Sequence, residues 1–447
     1  MIAYWIIFIV IIGFAIRDIK KMVIIWMPLQ LLFNDAIALK YSSPVLSLTV
    51  CINLLLPIIF YFKKYNSKAL FKSLDNSKFF YKPLFIAYLI SYAISTIFAI
   101  VPISGSTLNS ILKFFFTNFI LVAIFQQCIS KKEDIILFLK TCFIVLILLT
   151  TNGIYEVLTH NNIVCDYIFI NAPDPEIIKD RMYYIPPVLG GEREIRYGLV
   201  RANSFFSIHI AYGANCILLF FLFFALIRKK SNLVNNKILF LSLIMALFGV
   251  LACNSKTPLV GLAFFLCAFL RAKDIINIKV FFIAIIILLL ALTYFPSLID
   301  NLFSLFNPQL AEEGGGSTVK GRELQFEIVK KLFYMNPLFG NGMGSINAMK
   351  TIGNNANILG AESSWFQILP ERGLIGCAIY IYWYIYSFKK MKTIFPLKET
   401  IFFLLGLIVM ETATGYLNMA LYSSIIIILY KYNIYKKKQI YHYETIN

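Results

Sequence analysis

The chain has 447 residues, 59% of them hydrophobic and 14% charged, and carries a net charge of +18. Mean hydropathy is +0.76, far more apolar surface than a water-soluble domain of this size needs, so a soluble globular protein is excluded. The apolar runs are about 16–25 residues long, the length a helix needs to cross the hydrocarbon core. Nothing alternates polar and apolar residues in segments of about ten, as the strands of a membrane β-barrel do. The fold class is therefore an all-α polytopic integral membrane protein.

In chain order, the basic residues mark every second gap between apolar runs. Arg17, Lys20 and Lys21 follow the first run, and Lys63, Lys64, Lys68, Lys72, Lys78 and Lys82 fill the gap after the third. Lys131 and Lys132, then Arg228, Lys229, Lys230 and Lys237, then Arg271, Lys273 and Lys279 continue the series. Lys389, Lys390, Lys392 and Lys398 come next, and Lys436, Lys437 and Lys438 lie near the end. This is the positive-inside pattern, so the charge reports topology and no nucleic-acid partner. With the basic gaps cytoplasmic, spans fall near 3–16, 22–35, 44–62, 83–101, 109–127, 135–154, 207–227, 238–253, 257–270, 280–295, 366–388, 399–414 and 416–431. Spans 2 and 9 are short, which gives about 12–13 transmembrane helices, with the N-terminus outside and the C-terminus inside. No small-residue cleavage site follows the first span, which reads as retained.

Two long segments then face the extracytoplasmic side, about 155–204 and 296–364. The chain divides into N-terminal spans (1–154), a first loop (155–206), central spans (207–295), a large loop (296–365) and C-terminal spans with a cytoplasmic tail (366–447). The first loop holds Pro173, Pro175, Pro186, Pro187 and Gly190-Gly191, so it should be irregular. In the second, Glu312-Glu313-Gly314-Gly315-Gly316-Ser317 reads as a flexible linker. Val319 to Phe333 reads as an amphipathic helix with Leu324, Ile328, Val329, Leu332 and Phe333 on its apolar face, ended by Pro337. Loops this long are commonly functional, so the site is expected where the two meet.

The three histidines (His160, His209, His442) are scattered and no Cys/His cluster has metal-ligand spacing, so no metal is expected. Of the eight cysteines only Cys165 falls in a long loop, which leaves no disulfide within it. Three cations stand at outward positions: Arg201 at the mouth of a span, Arg322 at the start of the amphipathic helix and Lys256 in the turn Cys253-Asn254-Ser255-Lys256-Thr257-Pro258. Fixed cations on one surface suit a diphosphate, Arg as a planar fork and Lys as a point charge. The plainer reading is that each meets a lipid headgroup, although outward loops are not where basic residues should collect. Glu362 is the candidate catalytic base, a partly desolvated carboxylate near Arg that could take a proton from an attacking hydroxyl. It reads equally as a helix-start acid beside Ser363 and Ser364 as caps. Glu411 and Lys113 lie inside spans, where an ionisable group is functional or paired by default. Gly340-x-Gly342-x-Gly344 follows no strand, so it reads as a turn and not as a nucleotide signature.

Glu362-Ser363, nine residues, then Gly373-Leu374-Ile375-Gly376 has the spacing of the O-antigen ligase motif, with Glu in place of His. Arg322 leading to Asn336-Pro337-Leu338-Phe339-Gly340-Asn341-Gly342, Val200-Arg201-Ala202 entering a span, and Asn254-Ser255-Lys256 add three further segments in order. Over about residues 195–390 the chain resembles the O-antigen polymerase and O-antigen ligase superfamily, whose members move lipid-linked oligosaccharides at the outer face of a bacterial inner membrane. The resemblance implies a multi-pass inner-membrane glycosyltransferase with no cofactor, acting on an undecaprenyl-pyrophosphate-linked oligosaccharide. Its partners would be membrane lipids and the chain-length regulator and flippase of the same pathway. A carboxylate at the ligase's His position is similar to what many polymerases of the superfamily show, so polymerase is preferred over ligase. A lipid-linked glycan flippase is the rival class; it should carry charges and broken helices at mid-membrane and short outer loops, the reverse of this chain, and no internal repeat is visible. An inward-facing enzyme using nucleotide sugars is disfavoured by short basic gaps without acidic metal motifs.

Overall fold

A computed structural model of the chain describes residues 2–33, 37–40, 46–66, 81–100, 105–171, 195–196, 198–269, 303–304, 309, 319–346, 363–415 and 417–444. The described residues are almost entirely helical, as expected for an all-α polytopic membrane protein. Helix α1 is Ile2–Arg17 and α2 is Ile19–Leu29, the break between them capped by the Asp18 side chain accepting from the Lys21 amide. A small antiparallel ribbon, β1 (Ala38–Lys40) with β2 (Leu46–Ser47), leads into α3 (Leu48–Asn66). Then come α4 (Lys82–Ile97) and α5 (Gly105–Phe115), which passes through a π turn at Phe116–Ile120 into α6 (Leu121–Cys128). The long α7 (Lys132–Thr159) and the short α8 (Ile163–Ile170) follow. A second ribbon, β3 (Ile195–Arg196) with β4 (Leu199–Val200), precedes α9 (His209–Arg228), α10 (Asn236–Ala252) and α11 (Lys256–Phe269). The chain closes with α12 (Val319–Met335), α13 (Ser364–Lys392), α14 (Leu397–Thr414) and α15 (Met419–Glu444).

Thr107–Cys128, Lys132–Thr159 and His209–Arg228 are each long and apolar enough to cross a membrane, and four further apolar helices are shorter. Helix α9 is the axis: it is buried along nearly its whole length because α7, α10, α11 and α15 surround it. Phe221 on α9 stacks on Phe403 of α14 with ring centroids 3.6 Å apart, and Phe265 of α11 lies 4.5 Å from the same ring. The periphery is as apolar as the core. Ile2, Ile6, Ile9 and Val10 on α1 and Ile86, Leu89 and Ile90 on α4 are exposed, a surface that suits lipid and not water. The expected span at 280–295 lies outside the described residues.

The bundle has two chemically distinct ends. At one, Lys20 of α2 pairs with Asp134 of α7 at 2.7 Å, and Asp134 also accepts from the amides of Ser130 and Lys131. There too Lys229 donates to the Ile394 carbonyl and to Asn433 Oδ1, and Lys436 to the Lys229 carbonyl. Lys20, Lys229 and Lys436, from three of the basic gaps in the sequence, therefore gather at this end. The opposite end carries the C-termini of α4, α7, α10 and α14 and the N-termini of α9, α11 and α13.

Helix α13 differs from the expected continuous span at 366–388. Gly373 breaks it with φ 61° and ψ −159°, so Ser364–Arg372 forms a separate short helix and the long segment starts at Leu374. Inside a membrane every backbone group freed by such a break needs a protein partner. The turn Asn336–Gly344 supplies them. Its amides at Asn341 and Gly342 donate to the carbonyls of Pro370 and Glu371, and its carbonyls at Pro337 and Leu338 accept from Leu374 and Ile375. Ser95 of α4 also donates to the Glu371 carbonyl at 2.6 Å. The approach is so close that a Cβ on Gly340 would collide with the Glu371 carbonyl.

Gly373→Ala should therefore cost at least about 1–3 kcal/mol, since its dihedrals belong to a region open essentially to glycine alone and its Cβ would meet the Leu338 oxygen at 2.5 Å. A thermal melt of purified protein with an unchanged midpoint would contradict this. Burial acts to raise the Asp134 carboxyl, but the Lys20 ammonium and the Ser130 and Lys131 amides outweigh it and hold the group below the ordinary carboxylate range. A depressed folded-state pKa stabilises above the unfolded value, about 3.9, and that stabilisation fades as pH falls through the folded value. Asp134→Asn should lower stability by about 1–3 kcal/mol at neutral pH, and the gap from wild type should close in acid. Equal melting curves at pH 7 would remove this role.

Candidate functional site

The charged end is built from the backbone up. Glu156, fully buried in the last turn of α7, uses one carboxylate oxygen to accept from the Asn203 amide (2.9 Å), the Ser204 amide (2.8 Å) and Asn162 Nδ2 (2.7 Å). Ser204 holds a left-handed φ of 53°, a strained conformation for serine. Its hydroxyl donates to the Leu149 carbonyl and its own carbonyl accepts from Asn162 Nδ2, so the strain is held by a closed network. The adjoining Ala202 amide donates to the Ala252 carbonyl at the end of α10. Together these contacts fix the chain from Arg201 to Ser204 against α7 and α10 before any side chain is considered.

Arg201, buried, extends Nη2 to Ser255 Oγ at 3.3 Å. The next turn is locked to the β3–β4 ribbon, because Asn254 Nδ2 donates to the Arg196 carbonyl at 3.2 Å. Lys256, at the membrane-surface end of α11, donates to the Ser304 carbonyl at 3.3 Å. Arg322 is exposed and donates through Nη2 to the Ala413 carbonyl at the end of α14, 3.2 Å away. Burial, and then the positive fields of Arg196, Arg201 and Arg322, lower the Lys256 ammonium from its ordinary value. Four cations from three segments, Arg196 and Arg201 being five residues apart at the β3–β4 ribbon, therefore share one neighbourhood. Such a cluster repels itself, and an anion with several oxygens would relieve it.

Glu362 lies outside the described residues. Its neighbour Ser363 caps α13, its hydroxyl accepting from the Trp365 amide at 3.3 Å. Trp365 Nε1 then donates to Thr412 Oγ1 at 3.2 Å, one residue from the carbonyl that Arg322 touches. The head of α13 and Arg322 thus dock on the same final turn of α14. Glu411 in that turn is paired: its carboxylate accepts from the hydroxyls of Tyr380 and Tyr384, and Trp365 packs edge-on against Tyr380 with centroids 5.2 Å apart.

Arg201, Lys256 and Arg322, expected from the sequence, are brought together. The apolar face of α12 is rotated from expectation. Gln325, Val329 and Leu332 are buried and Leu324 is exposed, because the helix packs on α13 along the residues nearest the Asn336–Gly344 turn. Cys165 is not in an irregular loop but buried in α8. Two residues escaped sequence reading. Arg196, five residues before Arg201 and equally buried, could have been found among the basic residues Lys179, Arg181, Arg193, Arg196 and Arg201 that collect in an outward segment. Glu156 had no signal, since its partners are backbone amides 47 and 48 residues away.

These features define a polytopic helical membrane protein with a clustered cation site at one end of its bundle. Residues 240–381 match the O-antigen ligase family, a stretch from α10 into α13 that includes Lys256, Arg322 and the position of Glu362. This part of the chain is similar to the O-antigen ligase family, which is consistent with the resemblance to the O-antigen polymerase and ligase superfamily read from the sequence. Comparison with curated proteins and with solved structures gave no match.

If Glu156 holds the Arg201 segment, Glu156→Gln should expose it. Loss of the charge-assisted acceptor is worth about 1.5–3 kcal/mol, so the Asn203 and Ser204 amides should exchange hydrogen roughly ten- to a hundredfold faster. Unchanged protection at both amides would show that the segment is held by other contacts.

Proposed function

We propose that this protein is a polysaccharide polymerase of the bacterial inner membrane. It transfers a glycan from undecaprenyl pyrophosphate to the terminal sugar of a second lipid-linked repeat unit at the outer face. The observation that carries the reading is the convergence of Arg196, Arg201, Lys256 and Arg322 beside the head of α13. That end is the one opposite the gathered lysines, and the positive-inside rule assigns it to the extracytoplasmic side. The partners that follow from this reading are the lipid-linked donor and acceptor, with the flippase and chain-length regulator acting before and beside it.

The reaction needs little beyond charge and position. The acceptor hydroxyl gives its proton to Glu362 as its oxygen bonds to the donor's anomeric carbon. The bond from that carbon to the diphosphate oxygen breaks, and polyprenyl diphosphate leaves with the electron pair. Because the leaving group is already anionic, fixed cations stabilise the charge it gains without a Lewis acid. Arg201 and Arg322 grip the diphosphate as forks, while Lys256 and Arg196 raise the local potential. The ligase reading is favoured by the family match itself; the carboxylate at the motif's His position, with the matching Gly373-Leu374-Ile375-Gly376, favours polymerase.

Deleting the gene and resolving surface glycan by gel separates the two. Chains of one repeat support polymerase, whereas free lipid-linked polymer would mean ligase and overturn the proposal. Arg201→Ala and Arg322→Ala should each nearly abolish polymer and Arg→Lys should restore little; full activity in either alanine variant would reduce that residue to a headgroup anchor. Lys256→Ala should be milder. Glu362→Gln should lower transfer by about 10²- to 10⁴-fold at equal membrane abundance, with Glu362→Asp keeping part of it. A helix-start role predicts near-wild-type polymer in the Gln variant, since a dipole contribution is only about 0.3–1 kcal/mol.

A further inference from the structure

A second cation is buried away from this cluster. Arg372, the last residue before the Gly373 break, is 8% exposed. Its guanidinium lies 4.9 Å from the ring centre of Tyr92 and 5.7 Å from that of Tyr88, both on α4. Among the described residues Nε and Nη1 find no hydrogen-bond partner, and no carboxylate comes within ion-pair distance. The adjacent Glu371 carboxylate accepts from the Gly344 amide at 2.8 Å and acts on Arg372 through its charge, with no hydrogen bond to the guanidinium. Two aromatic faces steady a guanidinium, but they satisfy none of its N–H groups.

The same side of α4 carries further unmet donors. Tyr88 Oη and Ser91 Oγ are buried without a partner among the described residues, and residues 88, 91 and 92 share one helical face toward α13. A buried cation and two hydroxyls thus share one side of α4 with hydrogen-bonding capacity unmet among the described residues, and the charge of the neighbouring Glu371 offsets only part of the guanidinium's. An oxyanion with several oxygens would meet that capacity. These groups lie where α4 packs on α13, whereas Arg201 and Lys256 stand by α10 and α11. Trp365, Tyr380 and the Tyr-bonded Glu411 lie between the two. Two cationic positions therefore flank the head of α13.

We propose that Arg372, with Tyr88 and Ser91, binds the diphosphate of a second lipid-linked glycan, the acceptor, while the Arg201 cluster holds the donor. This rests on the polymerase reading, in which both substrates carry a polyprenyl diphosphate. The two anions would then enter from different sides of α13 and bring donor sugar and acceptor sugar together at its head. Arg372 acts as a binding residue here; it transfers no proton.

The test is a count of bound diphosphates. Full-length protein in phosphatidylcholine nanodiscs is titrated with farnesyl diphosphate by calorimetry. Wild type should bind two per chain, Arg372→Gln one, and the Arg201→Ala/Arg322→Ala double variant the other one. Arg372→Lys keeps the charge and the packing but not the fork, so its second site should weaken at least tenfold; it carries the test if the Gln variant does not fold. A wild-type count of one, or two sites of wild-type affinity in both Arg372 variants, would overturn the proposal. So would loss of the Arg372-dependent site in phosphatidylglycerol nanodiscs that excess farnesyl diphosphate fails to restore, because the occupant would then be a phospholipid headgroup. The count does not depend on polymer synthesis. A gel showing free lipid-linked polymer would remove the polymerase reading while leaving the count to report on Arg372 by itself.

Discussion

A bilayer offers no water to a backbone group that leaves a helix, and that constraint organises the charged end of this molecule. The chain departs from helical geometry near the membrane at Ser204 and at Gly373. At Ser204 a buried carboxylate, Glu156, accepts the two amides that the strained turn releases. At Gly373 the Asn336–Gly344 turn lies against the break and exchanges four backbone hydrogen bonds with it. The first arrangement positions Arg201 and the second positions Arg372. The cations that could meet substrate are thus set by where the backbone had to be satisfied.

The two ends of the bundle handle charge differently. At the lysine-rich end Lys20 is matched by Asp134, and Lys229 and Lys436 are spent on carbonyls that close neighbouring helices together. At the other end Arg201 reaches a serine hydroxyl, and Lys256 and Arg322 reach carbonyls. In each of these contacts the acceptor is neutral, so the contact itself positions the cation without cancelling its field. Glu411, the acid that lies in the adjoining turn, is held instead by tyrosine hydroxyls.

Aromatic side chains link these features. Trp365, Tyr380 and Tyr384 run from the capped head of α13 into the bundle, and Tyr88 and Tyr92 face them from α4 across Arg372. Rings of this kind fill space as hydrophobes while offering a hydroxyl or indole N–H at one end, which suits the boundary between lipid and water. They pack along the short helix Ser364–Arg372, the nine residues that separate Ser363 from Gly373.

The sequence by itself determined the class of fold, most helix positions and the grouping of three cations. Apolar run length and the spacing of basic residues are one-dimensional signals, imposed by the thickness and polarity of the membrane on each segment separately. Arg201 and Arg322 were legible because positive charge in the long loops ran against that pattern, and Lys256 because it stands in an outward turn. Only the tertiary structure decided that Arg196 joins them, that Glu156 holds the Arg201 segment, that Gly373 splits α13 and that Arg372 is buried against α4. Each of these depends on a partner far along the chain: Glu156 with Ser204, Ser95 with Glu371, Tyr92 with Arg372. A buried acid or arginine looks the same in sequence whether it meets water or a backbone amide, and its role is fixed only when folding removes the water and supplies the partner.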